Sequence, residues 1–185
     1  SGDLWSLSPA PTWAATDEFS CRHGFGYTTF RTVARGIEAE WTLFVHPVLP
    51  VELWRVELVN ASGRARRLAL TAFLEWCCGV SPAPRREFHK LFLGTDYDPS
   101  RGAVFARNRM WDVPDAKHGH WNTDFPYVCA FGCSAPVRDA QGDKGLFLGR
   151  CGSYCAPAAL AEESWTPRFG RHEDAIAALR SPLEL

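Results

Sequence analysis

Apolar and polar residues alternate with period two through the first half of this chain, and that alternation constrains its fold more than any motif does. From Ile37, the residues Ala39, Trp41, Leu43 and Val45 share one face of an extended chain, and Glu38, Glu40 and Thr42 share the other. A strand of this kind buries one face and wets the opposite one. Trp54, Val56 and Leu58 then alternate against Arg55 and Glu57. Past Asn60-Ala61-Ser62-Gly63-Arg64, a run of turn formers, Leu68, Leu70, Ala72, Leu74 and Trp76 alternate against Arg67, Thr71 and Glu75. The two runs predict a hairpin across that turn.

Further strands are expected over 27–33, 88–97, 103–109 and 127–133, each bounded by Gly, Pro, Asp or Asn. Helical periodicity is confined to a turn or two near 157–163 and 174–180. Residues 110–126, with Trp111, His118, His120 and Trp121, read as a long irregular connection and the natural seat of a functional loop. Consecutive antiparallel strands wet on one face predict an all-β fold, a large antiparallel β-sandwich. A chain of 185 residues with no repeat, low-complexity tract or linker suits one core, so a single domain over 1–185 is expected.

A formal net charge of −1 gives no electrostatic footprint for a nucleic-acid backbone or an anionic membrane, and no nucleic-acid partner is expected. The apolar runs fall short of the ~20 residues that span a bilayer, and the first residues lack a basic stretch followed by an apolar one. A cytoplasmic location is the expectation, or the cytoplasmic side of the inner membrane if the chain is part of a membrane-embedded parent. Eight Trp and twelve Phe are mostly core filler, with some rings available to stack on the apolar faces of sugars.

Seven Cys suit reduced thiols. Cys129 with Cys133 and Cys151 with Cys155 form two C-x3-C pairs that invite a zinc test. Residues four apart on a strand share a face but lie roughly 13 Å apart, too far to hold one ion. Buried, inert thiols and no metal are expected. His118 and His120 with His89 or His172 lack a third ligand fixed by spacing and predict no metal centre either.

Cleaving a glycosidic bond takes a carboxyl group beside the scissile oxygen, paired with a second carboxylate or an incoming phosphate. Glu38, Glu40, Glu52, Glu57 and Glu75 lie on regular strands, where solvated faces account for them. Gly24-Phe25-Gly26 lacks the third glycine and the helix of a phosphate loop. The cluster Arg85-Arg86-Glu87-Phe88-His89-Lys90 follows the bend Ser81-Pro82-Ala83-Pro84. It reads either as a solvated loop entering a strand or as a hydrogen-bonding lip for sugar hydroxyls anchored by Phe88.

Gly2-Asp3-Leu4-Trp5-Ser6, Pro11-Thr12-Trp13 and Cys21-Arg22-His23-Gly24-Phe25-Gly26-Tyr27-Thr28 carry a resemblance. Together they are similar to the G-D-x-W-S-P-x-W and C-R-H-G-x-G-Y-T block of glycoside hydrolase family 94, formerly glycosyltransferase family 36. The likeness continues through Gly36-Ile37-Glu38-Ala39-Glu40, Phe73-Leu74-Glu75-Trp76, Phe88-His89-Lys90-Leu91-Phe92 and Asp143 with Phe147-Leu148-Gly149-Arg150. Such enzymes reversibly cleave β-glucosidic bonds with inorganic phosphate and invert the anomeric centre; cyclic β-1,2-glucan synthases carry a similar region.

The resemblance implies a supersandwich of galactose-mutarotase-like type, placed before an (α/α)6 barrel that bears the catalytic Asp and the phosphate site. This chain resembles the sandwich and lacks the barrel, so no catalytic residue and no cofactor are expected in it. Inorganic phosphate or glucose 1-phosphate would be a substrate of the parent enzyme. A β-glucan oligosaccharide, the barrel and a second copy in a homodimer are the implied partners. A sandwich loop before a strand reaches the acceptor sugar in this family, and by residue order it corresponds to Phe88-His89-Lys90. Related sequences carry Gln-Arg where this one has His89-Lys90, and Lys replaces a planar fork by a point charge. Arg22 and His23 read as mainly structural, with facing the barrel as the alternative. A free-standing carbohydrate-binding module and a mutarotase-like enzyme are the competing readings.

Overall fold

The structure, a computed structural model, describes residues 3–78, 87–109, 111–115, 119–123, 126–171 and 174–185; the side chains of 87–89, 111–115 and 119–123 lie outside that description. The chain is nearly all β and forms two compact units. The first comprises residues 1–68, 153–156 and 184–185, and the second 69–152 and 157–183.

In the first unit, β1 (Glu18–Gly24), β2 (Tyr27–Ala34), β3 (Ile37–Val45) and β4 (Glu52–Asn60) form one antiparallel sheet in sequential order. Gly24 pairs with Tyr27, so Gly24-Phe25-Gly26 is part of a tight hairpin. Gly26 there takes φ 80°, a conformation that glycine adopts without steric cost. The predicted alternation sorts the two faces of the sheet. On one, Phe19, Phe30, Trp41 and Trp54 form a ladder across all four strands, with successive ring centroids 6.3, 5.3 and 5.6 Å apart. Cross-strand aromatic pairs of this spacing contribute roughly 0.5–1.5 kcal/mol each beyond their buried area. The other face is wet: Arg31 bridges Glu18 and Glu38 across three strands, and Thr29 hydrogen-bonds Thr42. Thr32, on the ladder face, is buried and donates its hydroxyl to the Leu7 carbonyl.

The predicted hairpin between β4 and the next strand does not form. β5 (Arg67–Glu75) joins a different sheet, of order β11-β13-β5. The turn itself is present: Asn60 Oδ1 accepts from the Ser62 N–H and hydroxyl, and its Nδ2 donates to the Arg64 carbonyl. A second bond from that Nδ2 runs to the carbonyl of Leu185, which also accepts from the Arg66 N–H, while the Leu185 N–H donates to the Arg66 carbonyl. The connection leaving β4 is therefore bonded to the last residue of the chain, and β5 is paired elsewhere.

The second unit continues with a 3-10 turn at Glu87–Phe92, then β6 (Leu93–Asp98), β7 (Ala103–Asn108), β8 (Trp111–Asp115), β9 (Gly119–Thr123) and β10 (Cys129–Gly132). After them come β11 (Asp139–Asp143), the short helix α1 (Lys144–Leu148), a 3-10 turn at Ala158–Ala161, β12 (Gly170–Arg171) and β13 (Ala175–Glu184). One sheet has the order β10-β7-β6-β12. The strand expected over 88–97 begins only at Leu93, where pairing with Asn108 starts; the residues before it form the 3-10 turn. The expected irregular stretch 110–126 holds the ribbon β8-β9, with Asp115 opposite Gly119. Pro114 breaks the strand pattern in the sequence, yet a two-stranded ribbon tolerates it because each strand keeps one edge unpaired.

The helical turn expected at 174–180 is strand β13, with every residue from Ala175 to Ser181 buried. Its alternate side chains enter different cores. Ala175, Ala177 and Leu179 pack with Trp76, Leu93, Val104 and Ala140. Ile176 and Ala178 pack with Phe147, Ala159 and Trp165. A strand with apolar neighbours on both faces shows no alternation, and by pattern alone it cannot be told from a buried helix.

No disulfide joins any of the seven cysteines. Buried, inert thiols were expected for the two C-x3-C pairs, but Cys151 and Cys155 are exposed, as is Cys21, Cys129 and Cys133 are half-buried, and only Cys78 is fully buried. Burial, together with the neighbouring Cys129 and Cys77, pushes the Cys78 thiol well above its ordinary range. Thiolate is the reactive form. A disulfide reagent is therefore expected to modify Cys21, Cys151 and Cys155 rapidly in the folded protein, and Cys78 only after unfolding. Peptide mapping that finds Cys78 modified as fast as Cys21 would contradict this packing.

Candidate functional site

The five residues expected at a site fall in two places. Arg22 and His23 are consecutive on β1, all of whose residues are exposed. Neighbours on a strand point to opposite faces, so these two side chains do not converge. His23 Nδ1 lies 3.0 Å from the Thr28 hydroxyl and its Nε2 3.5 Å from Cys21 Sγ. Those contacts tie the ring to its own hairpin.

Phe88, His89 and Lys90 sit in the 3-10 turn of the second unit. The side chains of Phe88 and His89, like His118 and His172, lie outside the described residues. Lys90 is described, and it is one corner of a closed ionic ring. Its ammonium lies 3.1 Å from Glu75 Oε2 and 3.0 Å from Asp174 Oδ1; the Lys144 ammonium lies 2.9 Å from Glu75 Oε1 and 3.0 Å from Asp174 Oδ2. Each carboxylate is thus held by both lysines. Partial burial alone would lower the affinity of Lys90 for its proton, but hydrogen bonds to Asp174 and Glu75 and their charges outweigh it, so its pKa is raised. Glu75 is accordingly more than a solvated strand residue. Lys144 and Asp174 carried no signal in the sequence, because the contacts that define them span 69 and 84 residues.

Four segments bring the ring together: the end of β5 supplies Glu75, the 3-10 turn Lys90, the start of α1 Lys144, and the residue just before β13 Asp174. Asp143 caps α1 by accepting from the Leu146 N–H, and its other oxygen pairs with Arg168 at 3.0 Å. Beside the ring opens a cleft of about 770 Å³ whose wall includes Leu91, Asp143, Leu148, Arg168, Arg171 and Asp174. Gly152 forms part of the same wall, and a Cβ there would lie 1.8 Å from the Leu148 carbonyl oxygen, so the wall closes this tightly only with glycine. Among the described residues no three His, Cys, Asp or Glu side chains gather as metal ligands, and no helix is long and apolar enough to cross a membrane.

Paired carboxylates and cations round a cleft can orient a polar ligand by hydrogen bonds. In the comparisons with known proteins, the family described as "Glycosyl hydrolase 94, supersandwich domain" matches residues 1–185. The chain is 26% identical over 184 residues to the solabiose phosphorylase of Paenibacillus borealis, covering 100% of this chain and 22% of that enzyme. It is 29% identical over 167 residues to the cyclic beta-(1,2)-glucan synthase NdvB of Rhizobium meliloti (strain 1021), covering 89% of this chain and 5% of the relative. An N,N'-diacetylchitobiose phosphorylase of Vibrio furnissii is 32% identical over 169 residues, which are 86% of this chain and 19% of that protein. The chain spans less than a quarter of each of these relatives. With its whole length matched by that one domain and its strands arranged in antiparallel sheets, the chain belongs to the supersandwich domain family of glycoside hydrolase family 94.

Proposed function

We propose that this chain is the non-catalytic β-sandwich of a larger inverting phosphorylase or glycosyltransferase acting on β-glucosidic bonds, and that it contributes to acceptor-sugar binding and to dimerisation of the parent. One observation carries the reading: a single domain type matches all of residues 1–185, while the similar enzymes are several times longer. The names of those relatives, a solabiose phosphorylase, an N,N'-diacetylchitobiose phosphorylase and a cyclic beta-(1,2)-glucan synthase, support a saccharide as the substrate class, and the last of them supports a β linkage. Inorganic phosphate or glucose 1-phosphate then belongs to the parent's catalytic domain, a barrel by the family resemblance, and cytoplasmic action fits those substrates.

The 3-10 turn supports the acceptor role. Lys90 is fixed by Glu75 and Asp174 at the side of a polar cleft, so the turn that carries His89 has a firm base. In the parent enzyme, replacing His89 and Lys90 together by Ala is expected to raise the acceptor KM about ten-fold, as the loss of one or two hydrogen bonds to hydroxyls would do. The KM for the phosphorylated donor should change far less. Acceptor kinetics identical to wild type would discard the role. The 185-residue chain by itself is expected to release no glucose 1-phosphate from a β-glucan and phosphate.

A further inference from the structure

Resting on that reading, we propose that the cleft beside the ionic ring is itself a binding site for a neutral pyranose, gripped through adjacent hydroxyls by Asp174, Arg168 and Arg171, and that it does not take an oxyanion. The ring of Lys90, Lys144, Glu75 and Asp174 is neutral as a whole, and Arg168 is matched by Asp143. That leaves Arg171, at the exposed rim, as the single cation lining the cleft with no ion-pair partner among the described residues. A phosphate entering here would meet the Asp143 and Asp174 carboxylates in the same wall as the cations, a poor balance for a dianion.

A hydroxyl both donates and accepts, and the cleft offers both kinds of partner side by side. Each oxygen of Asp174 takes one lysine ammonium and retains a further lone pair. Arg168 spends one terminal nitrogen on Asp143 and presents the rest of its donor fork, more than half exposed. Leu91 and Leu148 supply the apolar surface that a sugar's C–H face requires. At about 770 Å³ the cleft lies within the size range of small-molecule sites. The ring fixes Asp174 before any ligand arrives, so little ordering is needed on binding.

The test is a titration of the isotope-labelled protein with sophorose, cellobiose and, separately, sodium phosphate at matched ionic strength, followed by amide NMR. Both sugars are expected to shift the Gly145, Gly149 and Gly152 resonances saturably with a millimolar Kd, and phosphate to leave them in place. Arg168→Ala with Arg171→Ala should raise that Kd at least ten-fold, and Arg55→Ala, in the other unit, should not. In the unmutated protein, sugar should also slow alkylation of Cys151, which lines the cleft, without slowing that of Cys21. Phosphate shifting the three glycines in place of sugar overturns the ligand class. Sugar binding that ignores the double variant and leaves Cys151 unprotected overturns the site. Absence of any sugar binding overturns the inference as a whole. The acceptor KM of a His89→Ala variant in the parent, which leaves the Lys90 ring intact, shows whether the broader function falls with it.

Discussion

Replacing Asp139 by Ala is expected to lower the unfolding free energy by about 3–5 kcal/mol, because it leaves a buried guanidinium without its counter-ion. Arg180 and Asp139 side chains are each 5% exposed and 2.7 Å apart. Asp139 also accepts from Arg138 and from the Trp165 N–H, while Arg180 donates to the carbonyls of Glu162 and Glu163 and stacks 4.7 Å from the Trp165 ring. The pair therefore pins the 162–165 segment to β11 and β13. Burial alone would raise the Asp139 pKa, but the hydrogen bonds from Arg138, the Trp165 N–H and Arg180 hold it below the ordinary range. A carboxyl depressed in the folded state adds stability above its unfolded-state value and loses it as pH falls through the folded one. The stability gap between wild type and Asp139→Asn should accordingly be full at neutral pH and narrow below about pH 4. Urea denaturation across that range measures both. A neutral-pH loss under about 1 kcal/mol, the value of an exposed pair, would refute the buried-pair account.

Phe147→Ala is the second large effect, also about 3–5 kcal/mol, from the buried area lost and the cavity left. Phe147 is 1% exposed, with the Phe73 and Trp165 ring centroids 5.3 and 5.6 Å away. It is the buried residue of α1, the same helix that supplies Lys144 and Leu148 to the cleft wall. A fall in Tm on the order of 10 °C is expected, together with weaker sugar binding at the cleft. A Tm within about 2 °C of wild type would mean that the α1 site collapses around the missing ring.

Where one face of a strand is wet, the sequence was readable. β3 and β4 appear close to where alternation puts them, β2 where its bounding turn residues put it, and the resemblance carried by Cys21-Arg22-His23-Gly24 and its companion blocks led to the right family. The misses share a cause. β13 has apolar cores on both faces, so its pattern carries no period. β5 was visible as a strand, but its partner was not, since pairing is decided by residues about a hundred positions away. β1 is exposed along its whole length and has too few apolar residues to alternate. At the site, Lys90 was nameable through a motif, whereas Lys144 and Asp174 owe their roles to tertiary proximity that no local spacing encodes.

The central position of β13 between β11 and β5 has a temporal consequence during synthesis. Glu75 leaves the ribosome roughly a hundred residues ahead of Ala175, which at ~5–20 residues per second is an interval of several seconds or more. For that time β5 exists without its neighbour, and Trp76, Leu93 and Val104 lack the alanine-rich layer that later closes over them. The nascent polypeptide passes through this window with an open strand edge, a surface of the kind that invites association with other chains.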